Sequence, residues 1–541
     1  MKNIKRVLLI VILVMLGLCF GCSEAKGPYG KYIEEDLETT NIIEDNYRNY
    51  YEIFVRSFYD SDGDGVGDLK GVIEKLDYIQ DLGFNGIWLM PIHKSASHHK
   101  YDVDDYYSVD SKYGTMEDLE ALVAECHKRD IKLILDLVIN HSSSANAWFT
   151  KAKKAHEKWL AKETLTEEEE KFKDFYVFYD DKNAIPATKK AYQVGKKGYY
   201  YEANFSSNMP EFNCDSPAVR EEFQKIMKFW LDKGVDGFRL DAVKYYYYES
   251  HTKSIALLSE INKWAKAINP NAYIVGECWD PVTIIEQYYG SGCDSFFNFS
   301  LSVSDPSSPL VNSLNLEGKM LNKYYDGLLA NISIAKDGIP APFLNNHDTP
   351  RFTSTATTSI NKVKFQYALL SMMNGSTFTY YGDEVGMVGS NAGTSPDQNV
   401  RIPMQWGDGF GDCDPLSGAT EASYPYGTVK AQMKDEHSLY NFYKKCLLLR
   451  NQNPEIARGA VSLLEMDRED QKLLFIEKEY QGSKIGIIFN FAPYDNLKVD
   501  YQSKGFTKVV GQLVTDSKDK YIGLQDDGSI LLPPYSIAIV K

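Results

Sequence analysis

The sequence predicts an α/β protein built on a (β/α)8 TIM barrel, with one domain inserted into the barrel and an all-β domain after it. Three observations predict it. Eight short apolar runs recur along the 541 residues, mostly separated by stretches long enough for parallel crossovers. One interval, 142–210, is too long for a loop. Beyond residue 457 the apolar runs continue without helical periodicity between them.

The N-terminus differs from all that follows. Lys2, Lys5 and Arg6 precede the apolar run Val7–Phe20, and Gly21 and Cys22 come next. The run is shorter than the roughly 20 residues of a membrane-spanning helix, but it has the layout of a secretory leader. Residues 1–21 are expected to be that leader. A small residue directly before Cys22 resembles a bacterial lipobox and predicts acylation of Cys22 by palmitate. The chain is then expected outside the cytoplasm, lipid-anchored at a bacterial cell surface. Residues 22–46, rich in Glu, Asp, Thr and Asn, read as a polar tether.

Residues 47–141 and 211–456 carry the barrel pattern. Its strands are expected at Tyr51–Phe58, Phe84–Met90, Ile131–Val138, Val235–Leu240, Ala272–Gly276, Asp294–Phe299, Ile339–Leu344 and Thr377–Tyr381. Helical patterns near Asp68–Leu82, Met116–Arg129, Pro217–Lys233 and Ile255–Ala267 lead into the second to fifth strands. The interval 142–210 begins with the charged, helical stretch Ala145–Lys173 and continues rich in aromatics, as an inserted domain would. Residues 383–430, rich in Gly, Asp and Pro, suit irregular structure over the barrel rim. The runs Leu473–Ile476, Ile485–Phe491 and Leu532–Ile539 argue for a β-sandwich over 457–541.

Composition narrows the function classes. A net charge of -16 disfavours nucleic acid and anionic polymers but costs little against a neutral chain. Cysteines 126, 214, 278, 293, 413 and 446 form no Cys-x-x-Cys pair, which argues against structural zinc. A disulfide is permitted outside the cytoplasm, with no pairing implied.

Polar residues gather at the predicted strand ends, where a parallel barrel carries its chemistry. Asp136 and His141 end the third strand, Arg239 and Asp241 the fourth, Glu277 the fifth, and His347 and Asp348 the seventh. Unpaired charges are costly away from water, so such a cleft needs a chemical reason. Glycoside hydrolysis supplies one: an acid protonates the departing oxygen and a carboxylate meets the anomeric carbon. Arg239 would orient Asp241, and Glu277 would stay protonated beside the charges of Asp241 and Asp348. Asp348 and the histidines would clamp sugar hydroxyls.

A second pattern is Asp60-Ser-Asp62-Gly-Asp64-Gly-Val66-Gly-Asp68. Oxygen ligands at alternating positions, with the Val66 carbonyl among them, suit a hard cation, here expected to be a structural Ca2+ bracing the first barrel loop. It is not an EF-hand, since Gly71 stands where the twelfth-position glutamate would. Aromatic residues make up 13% of the chain, and Tyr101, Tyr106, Tyr107, Tyr245–Tyr248 and Trp279 fall near the predicted rim, where flat rings suit glucose faces.

These strand-end segments resemble the α-amylase family of glycoside hydrolases (family 13) from about residue 47 onward. The matching segments are Gly86-Ile-Trp-Leu-Met-Pro91, Asp136-Leu-Val-Ile-Asn-His141 and Met209-Pro-Glu-Phe-Asn213, then Gly234–Lys244, Gly276-Glu-Cys-Trp279 and Phe343-Leu-Asn-Asn-His-Asp348. The resemblance implies that Asp241 is the nucleophile, Glu277 the general acid/base and Asp348 the third carboxylate, in a mechanism that retains configuration. It implies substrate contacts for Tyr101, Asp102, His141, Arg239 and His347, and Lys244, Trp279 and Arg351 are counted with them. The aspartate-rich loop is similar to that of oligo-1,6-glucosidases, and Arg401-Ile-Pro-Met-Gln-Trp406 to a segment of α-glucosidases. Leu240-Asp-Ala-Val-Lys244 looks like lipid-anchored surface amylases. The family's other calcium site uses an asparagine matching Asn140 and a histidine where Tyr245 stands, which speaks against that site here.

The leading expectation is endo-hydrolysis of α-1,4-glucosidic bonds in starch, amylose, amylopectin or maltooligosaccharides. An exo-acting α-glucosidase or oligo-1,6-glucosidase on short α-glucans is the alternative. Expected partners are the glucan, the membrane through the lipid anchor, and surface glycan-binding or transport proteins.

Overall fold

The computed structural model describes residues 27–35, 44–312, 320–355, 359–390, 396–407, 409–419 and 423–541. The leader and Cys22 lie outside them. The chain folds as two units, 37–461 with 479–483, and 1–36 with 462–478 and 484–541.

The larger unit is a (β/α)8 barrel. Parallel strands Asn49–Ile53, Gly86–Leu89, Lys132–Leu137, Gly237–Leu240, Tyr273–Gly276 and Ser295–Phe296 follow one another around it, with Thr377–Tyr380 beside the first. The seventh expected run closes the ring by single parallel bridges, Phe297 to Ala341 and Phe343 to Phe378. The first strand stops at Ile53, short of the expected Phe58, because a 3-10 turn at Val55–Ser57 diverts the chain into the aspartate-rich loop.

Strand alternation sorts the barrel interior into two ends. Successive side chains point to opposite faces, so Tyr50, Ile134, Tyr273 and Val275 share a buried core with Trp88, Phe297, Phe343 and Phe378. Tyr50 stacks on Tyr273 at 5.2 Å and on Phe378 at 4.8 Å. Two residues further along the same strands stand Glu52, Asp136 and Glu277. The aromatic plug is thus continued by a polar layer at the C-terminal ends. At the opposite, N-terminal end Gly237 permits the fourth strand to lie close to the fifth, since a Cβ on it would sit 2.0 Å from the Tyr273 carbonyl oxygen.

Crossover helices read as their patterns predict. Met116–His127 starts in a capping box between Thr115 and Asp118. Pro217–Asp232 has proline in its first turn and buries Val219, Phe223, Ile226, Met227 and Trp230, one apolar stripe. Between the third and fourth strands stand helices Ala147–Leu160 and Glu167–Lys173 and a three-stranded sheet of Phe178–Tyr179, Tyr200–Glu202 and Ala191–Gln193. The expected single helical stretch is broken at Lys162, which has a φ of 60°, and Thr166 caps the second helix. Lys151–Glu168 and Lys158–Glu169 ion pairs join the two.

The smaller unit is all β. One sheet runs Ala460–Met466, Leu473–Tyr480, Ser483–Asn490, Ser536–Val540, Val509–Val514, and the other Lys31–Tyr32, Gly523–Leu524, Ile530–Leu532, Leu497–Val499. Its core holds Phe475, Ile488, Ile522, Ile530, Leu532 and Val540.

The N-terminal tether expected over 22–46 needs correction in its described part. Lys31–Tyr32 pairs antiparallel with Gly523–Leu524, Ile33 packs on the β core, and Glu35 accepts from the Gln512 amide at 2.7 Å. The apolar side chains among the polar ones, and an unpaired sheet edge, explain the docking. The six described cysteines are free and buried. No helix among the described residues is long and apolar enough to cross a membrane.

Candidate active site

Arg239 is the centre of the polar layer. It is fully buried, and Nη1 donates to Asp136 Oδ1 at 2.8 Å and to Asp241 Oδ1 at 2.7 Å, while Nη2 pairs with Glu277 Oε2 at 3.0 Å. A buried guanidinium needs such partners. Burial alone would lower its pKa, but Asp136, Glu277 and Asp241 hold it well above the ordinary value.

The three candidate catalytic carboxylates meet different surroundings. Burial pushes the Glu277 carboxyl up, Arg239 pulls it back, and Asp241 and Asp348 raise it again, leaving it at about 7. Its Oε2 also accepts from the Ala242 amide at 2.9 Å. That amide is aimed by a left-handed backbone at Ala242, with φ of 49°, a conformation that costs about 1 to 3 kcal/mol outside glycine. Burial opposes ionisation of Asp348 as well, yet His347 and Arg401 hold its carboxyl well below the usual range. His347 Nε2 lies 3.0 Å from Asp348 Oδ2, and Arg401 Nη2 donates to Oδ1 at 2.8 Å.

His347 extends the network inward. Its Nδ1 lies 2.5 Å from Glu52 Oε1 and its Nε2 2.7 Å from the Tyr101 hydroxyl. Burial would lower the histidine, but Asp348 and Glu52 raise it to about 9. Tyr101 donates to Asp136 Oδ2 at 3.0 Å, and its ring stacks on His347 at 5.6 Å.

Over this layer lies a cavity of ≈ 540 Å³ lined by Tyr101, His141, Asp241, Lys244, Glu277, Trp279 and Asp348, within the roughly 300–1,000 Å³ range of ligand pockets. The sequence-derived candidates thus divide. Seven line the cavity; Arg239 and His347 sit beneath it and orient those that do. His141 is buried, and its Nε2 has no partner among the described residues. Lys244 donates to the Trp279 carbonyl at 2.7 Å, and Trp279, 42% exposed, stacks on Phe299 at 4.8 Å. Asp102 does not line the cavity. It accepts from Ser95 Oγ at 2.7 Å and from Ser97 Oγ, bracing the loop that carries Tyr101.

Arg351 is the clear correction. Its side chain is fully buried away from the cavity, donating to the Tyr381 carbonyl at 2.7 Å and the Val400 carbonyl at 3.1 Å, with Asp383 at 3.2 Å. It ties chain segments together and does not reach substrate space. Sequence reasoning missed Arg401, His99 and Phe205 as lining residues, whereas Tyr245, expected near the rim, does line the cavity. Arg401 stood inside a segment already noticed, but nothing in the linear order tells which arginine turns inward. Tyr106, expected at the rim, is buried and donates to the Val138 and His141 carbonyls at 2.8 and 2.6 Å.

In the aspartate-rich loop, Asp60, Asp62 and Asp68 bring carboxylate oxygens within 4.8 Å of one another. Asp64 is outside this cluster and accepts from the Val66 amide at 2.8 Å. Asp60 accepts from Gly63 and Gly65 amides, both at 2.7 Å. Although burial raises it, these amides hold its carboxyl below the ordinary value. Gly65, at φ of +86°, also leaves room for Asp414, whose Oδ2 would lie 2.4 Å from a Cβ. An all-oxygen set converging in this way fits a hard divalent cation.

Residues 52–459 match the family described as alpha amylase, catalytic domain. Among curated relatives, alpha-amylase 3 of Dictyoglomus thermophilum is 36% identical over 500 residues, 92% of this chain and 93% of that protein. An oligo-1,6-glucosidase of Parageobacillus thermoglucosidasius is 29% identical, over 82% of this chain and 89% of its own. Among solved structures, Eubacterium rectale Amy13B superposes with a TM-score of 0.84 at 38% identity, covering 94% of this chain and 99% of that one. The alpha-amylase from H. orenii gives 0.75 at 31%, covering 91% and 99%. With its barrel, its strand-end carboxylates and these relatives, the chain belongs to the α-amylase family and is a glycoside hydrolase of family 13.

Proposed function

We propose that the chain hydrolyses α-1,4-glucosidic bonds of starch-like glucans internally, with retention of configuration, releasing maltooligosaccharides. The observation that carries this reading is the placement of Asp241 and Glu277 on sibling nitrogens of one guanidinium, at the floor of one cavity. That placement favours the shorter carboxylate separation of retaining enzymes, about 5–5.5 Å, over the roughly 6.5–9.5 Å of inverting ones.

In the first step Glu277 gives its proton to the glycosidic oxygen as Asp241 attacks the anomeric carbon. The C–O bond to the departing chain breaks and an ester to Asp241 forms. In the second step Glu277 takes a proton from water, the water oxygen bonds to the anomeric carbon, and the ester breaks. A Glu277 pKa of about 7 suits both roles. Asp348, held ionised by His347 and Arg401, grips sugar hydroxyls and faces the positive charge of the transition state. Asp60, Asp62 and Asp68, with the Val66 carbonyl, would hold a Ca2+ that neutralises the loop's charge. The leader and Cys22 would place the enzyme at the cell surface, where polymers too large for import are met. Surface glycan-binding or transport proteins would take up its products.

Asp241→Asn and Glu277→Gln are each expected to lower kcat at least about a hundredfold with folding retained. A timed product profile on amylose tests the linkage and mode. Mixed oligosaccharides early in the reaction support the proposal. Glucose alone, or preference for isomaltooligosaccharides, transfers the chain to the exo-acting or 1,6-cleaving reading, which its oligo-1,6-glucosidase relatives keep in play.

A further inference from the structure

The smaller unit carries an aromatic cluster that shares no residue with the cleft. Tyr521 stands at its centre, with Tyr29 at 5.3 Å and an interplanar angle of 66°, and Tyr32 at 5.7 Å and 59°. Tyr32 is 65% exposed, whereas Tyr521 and Tyr29 are half-buried. Single exposed aromatics need no explanation, but three contiguous rings do.

The rings are held rather than loose. The Tyr521 hydroxyl donates to the Gly30 carbonyl at 2.9 Å, so the turn 27–30 wraps its edge. Gln525 Nε2 donates to the Tyr29 carbonyl at 2.5 Å and to the Gly523 carbonyl at 3.1 Å. The pairing of Lys31–Tyr32 with Gly523–Leu524 fixes Tyr32 at the start of that sheet. Tyr29 lies within electrostatic reach of Lys520, and the Tyr32 ring, 65% exposed, presents its hydroxyl to solvent and to a ligand. Rings held in this way meet the two needs of a sugar chain, a stacking face and a hydroxyl edge for hydrogen bonds, at small entropic cost.

We propose that Tyr29, Tyr32 and Tyr521 form an accessory binding site for an α-glucan chain, separate from the catalytic cleft. The inference rests on the α-glucan reading of the active site. The tilt of about 60° between neighbouring rings selects the ligand shape. An α-1,4-linked chain curves and turns successive sugar faces by large angles, whereas a flat β-1,4 chain needs coplanar rings. A lipid surface fits less well. A net charge of -16 repels anionic headgroups.

The test uses the full chain and the variants Tyr32→Ala and Tyr29→Ala/Tyr32→Ala. Adsorption to starch granules, adsorption to cellulose, and kcat/KM on a short soluble maltooligosaccharide are measured in parallel. Granule affinity is expected to fall about tenfold in the single variant, equivalent to about 1.4 kcal/mol, and further in the double one. Turnover of the short substrate is expected to stay unchanged, and cellulose to bind neither protein. Unchanged granule affinity in the double variant overturns the site, as does equal loss on cellulose. So does a Tyr32-dependent binding to phosphatidylglycerol vesicles in place of granules. Tyrosine-dependent granule binding by a chain that cleaves no α-1,4 bond would sink the catalytic reading and leave the site standing.

Discussion

Two arginines illustrate what a side chain's position in sequence does and does not tell. Arg351 stands three residues beyond Asp348 and was expected at the substrate, but it is spent on two backbone carbonyls and Asp383. Arg401, 53 residues from Asp348, reaches it at 2.8 Å. Arg401→Ala should lower kcat/KM about 10- to 100-fold, as loss of a charge-assisted hydrogen bond worth roughly 1.5–3 kcal/mol does, with little change in Tm. Arg351→Ala should do the reverse, costing roughly 3–5 kcal/mol of stability by leaving Asp383 buried without its cation. Kinetics and calorimetry on the two proteins decide it. Strand-end carboxylates were legible because alternation and barrel topology converge them whatever the loops do. Loop arginines were not, because only the folded path of residues 396–407 brings Arg401 back to Asp348. Glu277 carries a second prediction. Its acid role needs the proton, and its pKa is raised to about 7, so kcat/KM should fall as pH rises through about 7. A rate flat from pH 6 to 9 would remove Glu277 from the acid role.

At the scale of elements, the aspartate-rich loop is the connection between first strand and first helix. Its Asp68 caps the helix Leu69–Glu74 by accepting from the Gly71 amide at 2.8 Å. The turn before it is locked to the rim, where Ser57 donates to the Arg401 carbonyl at 2.9 Å and accepts from Met404 through its own carbonyl at 2.9 Å. Chelation, or Asp62→Ala, should therefore lower Tm and also raise KM, because slack in the loop reaches Arg401 and then Asp348. Calcium titration followed by calorimetry checks the metal itself, and a Tm indifferent to both treatments would remove it. The motif was readable from its alternating oxygens, but Asp64 was not separable from the others. Only the turn geometry, which points its carboxylate at the Val66 amide, sets it apart.

For the whole molecule, most of the architecture was visible in the spacing of apolar runs, since a run of five to eight residues between amphipathic helices has few places to go. Residues 27–35 read as tether because composition speaks for flexibility, while a single Tyr-Ile pair is enough to add a short edge strand. Removing residues 27–35 should destabilise the β unit and leave the barrel transition in place, read as a lowered first step in calorimetry. A single unshifted transition would show that the strand contributes nothing.

The pairing of residues 31–32 with 523–524 has one more consequence. The Tyr521 to Gly30 bond spans 491 positions, so in chain order the smaller unit is the host and the barrel an insertion in its sequence. The ribosome delivers the first piece of that host long before its complement, and its assembly must wait for the chain's last strands, a late event set by long-range closure. Splicing residue 35 to residue 462 through a short glycine linker should accordingly give a freestanding miniature β protein.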